Sequence, residues 1–271
     1  MNDLQSKSET DEPRPAKFYK YRQLIGDSAK YLERTICHNE IYFAAPETFN
    51  DPFDCHPDFS HEGTAEELMD YYIYLAKKRG TPMSEAELQQ DARLMLADPM
   101  RNPQYGISSD AIQDEYARHL RSEYGVLCVS AVCDDILMWS HYADFHRGVC
   151  LEFDGEAKFM QRAFPVSYSK ERPTIHMRRD SNEVALEKSL RTKSDHWKYE
   201  REWRLLKYTV GPGVVQFRPE NLTGIVIGAE ATSVTVDLVR RWVSQRAAPI
   251  SVYQATKNRH TFALDIVEIT L

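Results

Sequence analysis

Glu200 and Glu202 are the residues of this chain whose types and spacing speak most directly for chemistry, within the run Trp197-Lys198-Tyr199-Glu200-Arg201-Glu202-Trp203-Arg204. Two apart on a strand, they point to one face while Tyr199, Arg201 and Trp203 point to the other. The aromatic flanks and the apolar Leu205-Leu206 assign that strand to a core sheet. Carboxylates held side by side at the start of a buried strand are costly without cationic partners or a job. The plain alternative is a surface strand whose acids pair with Arg201, Arg204 or Lys198. In the functional alternative one acid binds or polarises a hydroxyl and the other orients a nucleophile. A glutamate beside an electron-poor sugar carbon also stabilises an oxocarbenium-like transition state.

Other constellations surround this pair. In Met138-Trp139-Ser140-His141-Tyr142-Ala143-Asp144, His141 and Asp144 are three apart and on a helix share a face, extended by Arg147 and opposite Leu137 and Trp139. That composition suits a pocket wall, with His141 as a catalytic candidate and Tyr142 as a binding one; a satisfied histidine is the plain alternative. The turn Phe49-Asn50-Asp51-Pro52-Phe53-Asp54 is followed by His56 and His61. Asp51, Asp54 and the two histidines match no metal-ligand spacing, so no metal is expected, and Phe49 and Phe53 read as pins for the loop. Tyr19, Tyr21 and Arg22 share an opening strand on which the Arg22 fork suits a phosphate or carboxylate. Ser130 is a lone hydroxyl in an apolar run and must find a partner. No P-loop, GxGxxG, HExxH or GxSxG occurs.

The elements that position these residues follow from periodicity. Residues 1–16 carry no hydrophobic period and read as a disordered tail; the rest, 17–271, reads as a single domain. Strands are expected at 18–22, 41–44, 126–132, 148–153, 164–168, 200–210, 223–228, 250–254 and 262–269. Helices are expected after Gly26-Asp27, from an Asp134 cap, over 181–196 with Val184, Leu186 and Leu190 inward, and over 233–246. A helical insertion spans about 63–125. Antiparallel-looking strands mixed with helices make the fold α+β, with a mixed, largely antiparallel central sheet and flanking helices.

Composition narrows the partners. The net charge of −7 argues against broad charge-driven binding to nucleic acid or an anionic membrane. No apolar run reaches the ~20 residues that span a bilayer, so no membrane is expected. The five cysteines are odd in number and form no CxxC, which predicts free thiols in a reducing cytoplasm.

Together, Tyr19-Lys20-Tyr21-Arg22, the FNDPFD turn, Leu127-Cys128-Val129-Ser130, the MWSHYAD block, Gly148-Val149-Cys150-Leu151-Glu152-Phe153 and the Glu200–Glu202 run resemble the bacterial family catalogued as domain of unknown function 2971, over about 18–228. That family brings no activity with it. The order Arg22, Ser130, Glu200-Arg201-Glu202 also resembles the ADP-ribosyltransferase superfamily, in which such residues surround NAD. This resemblance implies an NAD-consuming ADP-ribosyltransferase or hydrolase, of the kind found among toxins and antiphage effectors, with NAD as substrate. Arg22 would contact a phosphate or ribose and Ser130 would hold the nicotinamide-side pocket. Glu202 would bond the nicotinamide ribose and Glu200 would activate the acceptor, whether protein, nucleic acid or water. Tyr19, Tyr21 and Tyr142 complete the expected nucleotide pocket. The alternatives are a non-catalytic nucleotide- or protein-binding sensor and a metal-dependent nuclease built on Asp51, Asp54, His56 and Glu200.

Overall fold

The computed structural model describes residues 13–60, 64–78, 80–97, 123–176, 180–207 and 211–271. In chain order they form β1 (Lys17–Arg22), α1 (Ser28–His38), β2 (Glu40–Phe43), β3 (Asp58–Ser60), α2 (Ala65–Lys78), α3 (Glu85–Ala97), β4 (Gly125–Ser130) and α4 (Ile136–Tyr142). Then follow β5 (Val149–Asp154), β6 (Phe164–Pro165), β7 (Ser167–Ser169), β8 (Thr174–His176), α5 (Asn182–Arg191), β9 (Thr192–Ser194) and β10 (Glu202–Lys207). The chain closes with β11 (Gly213–Gln216), β12 (Leu222–Ile227), α6 (Ser233–Ser244), β13 (Ser251–Lys257) and β14 (Leu264–Ile269).

Eight strands join one sheet in the order β14-β13-β12-β5-β1-β4-β10-β6. Only β12 and β13 run parallel, linked through α6; the other neighbours are antiparallel. The architecture is thus α+β with a mixed, largely antiparallel sheet. Strand alternation separates two cores. Phe18, Val129, Leu151, Phe153, Trp203 and Leu205 face Leu32 and Ile36 of α1 and Val239 and Trp242 of α6. On the other face Tyr21, Cys150 and Val226 lie under Met138 and Trp139 of α4. β4 and β5 are near-continuous apolar runs because both their faces are covered.

Within the expected insertion, α2 and α3 pack through Ile73, Ala76, Leu88 and Ala92, while 98–122 lie outside the described residues. Residues 1–12 of the expected tail also lie outside them; Arg14 lies over the Phe18 and Trp203 rings at 5.3 and 5.6 Å.

Several local expectations need correction. The helix expected over 181–196 stops at Arg191, because Thr192-Lys193-Ser194 pair with β7 as a parallel strand. Val184, expected inward, is 38% exposed, whereas Leu190 is buried. Asp135, not Asp134, caps α4, its Oδ1 accepting from the Leu137 and Met138 amides at 2.9 Å. Phe262 precedes β14 rather than opening it and is fully exposed.

Helix α4 ends at Tyr142, so His141 and Asp144 do not share a helical face, and Leu137 is exposed rather than inward. Asp144, Phe145 and His146 instead turn left-handed, with φ of 48°, 50° and 68°. Side chains in that region cost of order 1–2 kcal/mol each. The turn is held by Gly148 N–H donating to Ala143 O at 2.8 Å and Glu230 N–H donating to His146 O at 2.9 Å. Gly228 closes the knot: a Cβ there would sit 2.1 Å from His146 O. Gly228→Ala is therefore expected to cost about 2–3 kcal/mol in urea denaturation, since backbone on both sides blocks relief. A loss below 0.5 kcal/mol would show the turn is slack.

Candidate functional site

Register brings the first site residues together. Tyr19 of β1 pairs with Ser130 of β4, and Ser130 pairs with Glu202 of β10, so these side chains lie in one row on one face. Glu200 is not on that strand. It ends a 3₁₀ segment, Asp195–Glu200, and Arg201 between the two acids is left-handed at φ 44°. The expected strand over 200–210 begins only at Glu202, and 208–210 lie outside the described residues. Ser130 clamps the turn: its Oγ donates to Glu200 O at 2.7 Å and accepts from Val132 N at 3.1 Å. The carboxyl groups still converge, because a buried lysine joins them.

Lys193 Nζ, from β9, lies 2.5 Å from Glu200 Oε2, 3.0 Å from Glu202 Oε2 and 3.6 Å from Asp54 Oδ2. Arg204, 0% exposed, bonds Glu202 Oε1 through Nε at 2.7 Å and grips both Asp54 oxygens through Nη2 at 2.9 and 2.7 Å. Its Nη1 donates to Leu190 O at 3.1 Å. The Phe49 ring lies 5.7 Å from the guanidinium carbon. The Tyr168 hydroxyl accepts from Glu202 N at 2.8 Å. Tyr142 donates to Glu200 Oε1 at 2.6 Å and accepts from Asn50 Nδ2 at 3.2 Å. Three buried carboxylates thus share two buried cations, leaving the cluster one negative charge in excess when all are ionised.

That excess separates the two acids. Burial raises the Glu200 carboxyl above its ordinary range, against the pull of Lys193 and with the help of the Glu202 charge. Burial pushes Glu202 the same way, but Arg204 and Lys193 outweigh it and hold it well below. Neighbouring carboxyls are driven apart in this way in acid–base pairs and in structural ion clusters alike. Burial pushes the Lys20 ammonium down to about 8, with Arg22 adding and the Glu202 and Glu200 charges opposing. Lys20 Nζ donates to Cys128 O at 2.7 Å.

The remaining candidates surround this centre at different depths. His141 is exposed, its Nδ1 2.9 Å from the Tyr199 hydroxyl and its ring edge-on to Trp197 and Tyr199. Tyr19 reaches Glu152 at 3.5 Å, and Tyr21 donates to Val132 O at 3.0 Å beneath α4. Arg22, opposite Val149, alternates with Tyr21 and so sits on the other face of β1 from Tyr19, Ser130 and Glu202.

The Phe49–Asp54 loop serves the cluster through Phe49, Asn50 and Asp54, while Asp51 Oδ1 accepts from Phe53 N at 2.9 Å. Phe53 is exposed rather than pinning the loop. Arg172 holds His56, and His61 lies outside the described residues. Among the described residues no group of His, Cys, Asp and Glu is arranged for a metal ion. The Asp54 oxygens are both bonded by Arg204. The five cysteines are free thiols, and no helix among the described residues is long and apolar enough to cross a membrane.

Lys193 and Tyr168 were not singled out by sequence reasoning. A lysine within a polar run reads as a solvated face; only the Thr-Lys-Ser triplet, poor in helix formers, hints that the chain leaves the helix there. No curated protein and no solved structure matches the chain. Residues 138–205, which include Tyr142, Lys193, Glu200, Glu202 and Arg204, match the model of the family described as Protein of unknown function (DUF2971), the family its motif blocks resemble.

Proposed function

We propose that the chain cleaves NAD, passing ADP-ribose to an acceptor or to water. The observation that carries this reading is the Glu200–Glu202 pair, one carboxyl raised and one held ionised, beside the Tyr19–Ser130–Glu202 row. The C1′–N bond of the nicotinamide riboside breaks, and its electron pair leaves on nicotinamide. The acceptor oxygen bonds C1′, and its proton passes to Glu200. Glu202 keeps Lys193 in position and supplies negative charge under the developing oxocarbenium. Lys193 and Arg204 already bond both Glu202 oxygens, so a ribose hydroxyl competes with them there. Glu200, capped by the half-buried Tyr142, is the acid nearer the substrate in this reading. The rings of His141, Trp197 and Tyr199, meeting edge to face, form a wall for a planar ring. Such an activity depletes NAD in a target cell, which is the chemistry of a toxin or antiphage effector.

Mass spectrometry of nicotinamide released from NAD by the purified chain tests this. Release is expected, unaffected by EDTA, and reduced about tenfold or more in Tyr142→Phe, whose melting temperature stays within a few degrees. No consumption of NAD by the folded chain sinks the reading. Turnover abolished by EDTA would favour metal-dependent hydrolysis instead.

A further inference from the structure

A second polar constellation lies on the same face, away from the Glu200–Glu202 pair. Glu152 is the charged residue within the apolar run of β5, its side chain 11% exposed. It pairs with Tyr19, so the row reads Glu152, Tyr19, Ser130, Glu202 across β5, β1, β4 and β10. Opposite Glu152, β12 carries a register shift between Leu222 and Gly224. This bulge turns Thr223 toward the carboxylate, its Oγ1 donating to Oε1 at 2.7 Å. Bulges next to sites re-aim a side chain in this way. Lys17 Nζ bonds Oε1 at 3.0 Å and Thr223 Oγ1 at 2.9 Å, with its side chain 40% exposed. Gly224 has no side chain, so the partly exposed Tyr253 ring lies close over the strand; a Cβ would meet it at 3.0 Å.

Oε2 of Glu152 is met by the Tyr19 hydroxyl at 3.5 Å, the limit of a hydrogen bond. A carboxylate has about four acceptor sites, and the described contacts leave the Oε2 side able to accept from a ligand hydroxyl. Beside it, Lys17 offers an accessible cation for phosphate, and Tyr253 a flat face for a base.

We propose that Lys17, Tyr19, Glu152 and Thr223 form a second subsite that binds the sugar-phosphate half of a nucleotide. The vicinal diol bonds Glu152 and the phosphate pairs with Lys17. At about 4.8 Å per strand, three steps along the row separate it from Glu202 by about 14 Å, a span suited to two sugars of one dinucleotide. The dinucleotide identity rests on the NAD reading; the diol and phosphate chemistry does not.

Calorimetric titration of the full chain with 5′-AMP and its 2′,3′-dideoxy analogue tests the subsite. Wild type is expected to bind AMP about tenfold more tightly than the dideoxy analogue. Glu152→Gln should erase that difference. Lys17→Ala, at a partly exposed position that leaves the fold intact, should weaken AMP severalfold and leave adenosine unchanged. Equal affinity of wild type for AMP and the dideoxy analogue overturns the proposal. So does no AMP binding, or AMP affinity unchanged in both variants. Discrimination against the dideoxy analogue without nicotinamide release would defeat the NAD reading alone. Nicotinamide release with an unaltered KM in Glu152→Gln would defeat the subsite alone.

Discussion

Arg204→Met is expected to cost about 3–5 kcal/mol of folding stability, the effect of removing one partner from a buried ion cluster. The guanidinium bonds both Asp54 oxygens and shares Glu202 with Lys193. Without it, three buried carboxylates face the single ammonium of Lys193, already 3.6 Å from Asp54. Methionine fills much of the volume but restores neither charge nor the bond to Leu190 O. Arg204→Lys should recover little, since one ammonium cannot serve two carboxylates in fork geometry. Adding Asp54→Leu to Arg204→Met should regain part of the loss, because an apolar pair replaces an orphaned charge. Urea denaturation at neutral pH reads each variant. A loss under 1 kcal/mol for Arg204→Met would mean that water reaches the cluster and screens it.

The second large effect concerns Glu200. Glu200→Gln is expected to lower nicotinamide release 10²–10⁴-fold, the usual scale for losing a general acid or base. Stability at neutral pH should meanwhile stay within about 1 kcal/mol of wild type, because the substitution removes the surplus negative charge of the cluster. The sign follows from the direction of each shift. Glu200 is raised in the fold, so its contribution becomes unfavourable as pH climbs above the ordinary 4.5 and through its folded value. The glutamine variant should therefore gain on wild type as pH rises above 4.5. Glu202 is lowered, so its contribution is present above 4.5 and is lost as pH falls below it. Glu202→Gln should flatten that acid loss and cost several kcal/mol at neutral pH. Equal destabilisation by the two glutamine variants would contradict the division of roles.

The sequence makes the strands of the core legible, because β4, β5 and β12 are short, near-continuous apolar runs, as strands covered on both faces are. Blocks marked by their residue types do come together: the FNDPFD loop and the Glu200–Glu202 run meet at Lys193 and Arg204, and Tyr142 joins them through Glu200 and Asn50. The route by which they meet is not legible. Strand alternation put both acids on one face, but Arg201 leaves the extended region, and the acids converge through a turn that Ser130 holds. The helix expected to 196 overshoots because local propensity cannot register the pairing of β9 with β7, and that pairing positions Lys193. Arg22 followed its order in the chain, yet strand parity turns it away from Ser130 and Glu202. Glu152 was hidden for the opposite reason: one acid in an apolar run gives no signal until a bulge on the next strand supplies its partners.

The sheet order β5-β1-β4-β10 bears on where the chain can be cut. Excised alone, the matched span 138–205 would carry β5 and part of β10 but neither strand that lies between them. The fragment would expose long unpaired edges, lose Asp54 and Asn50, and clump rather than fold. A truncation series that retains the acid cluster has to start upstream of Lys17 and keep the chain through β13.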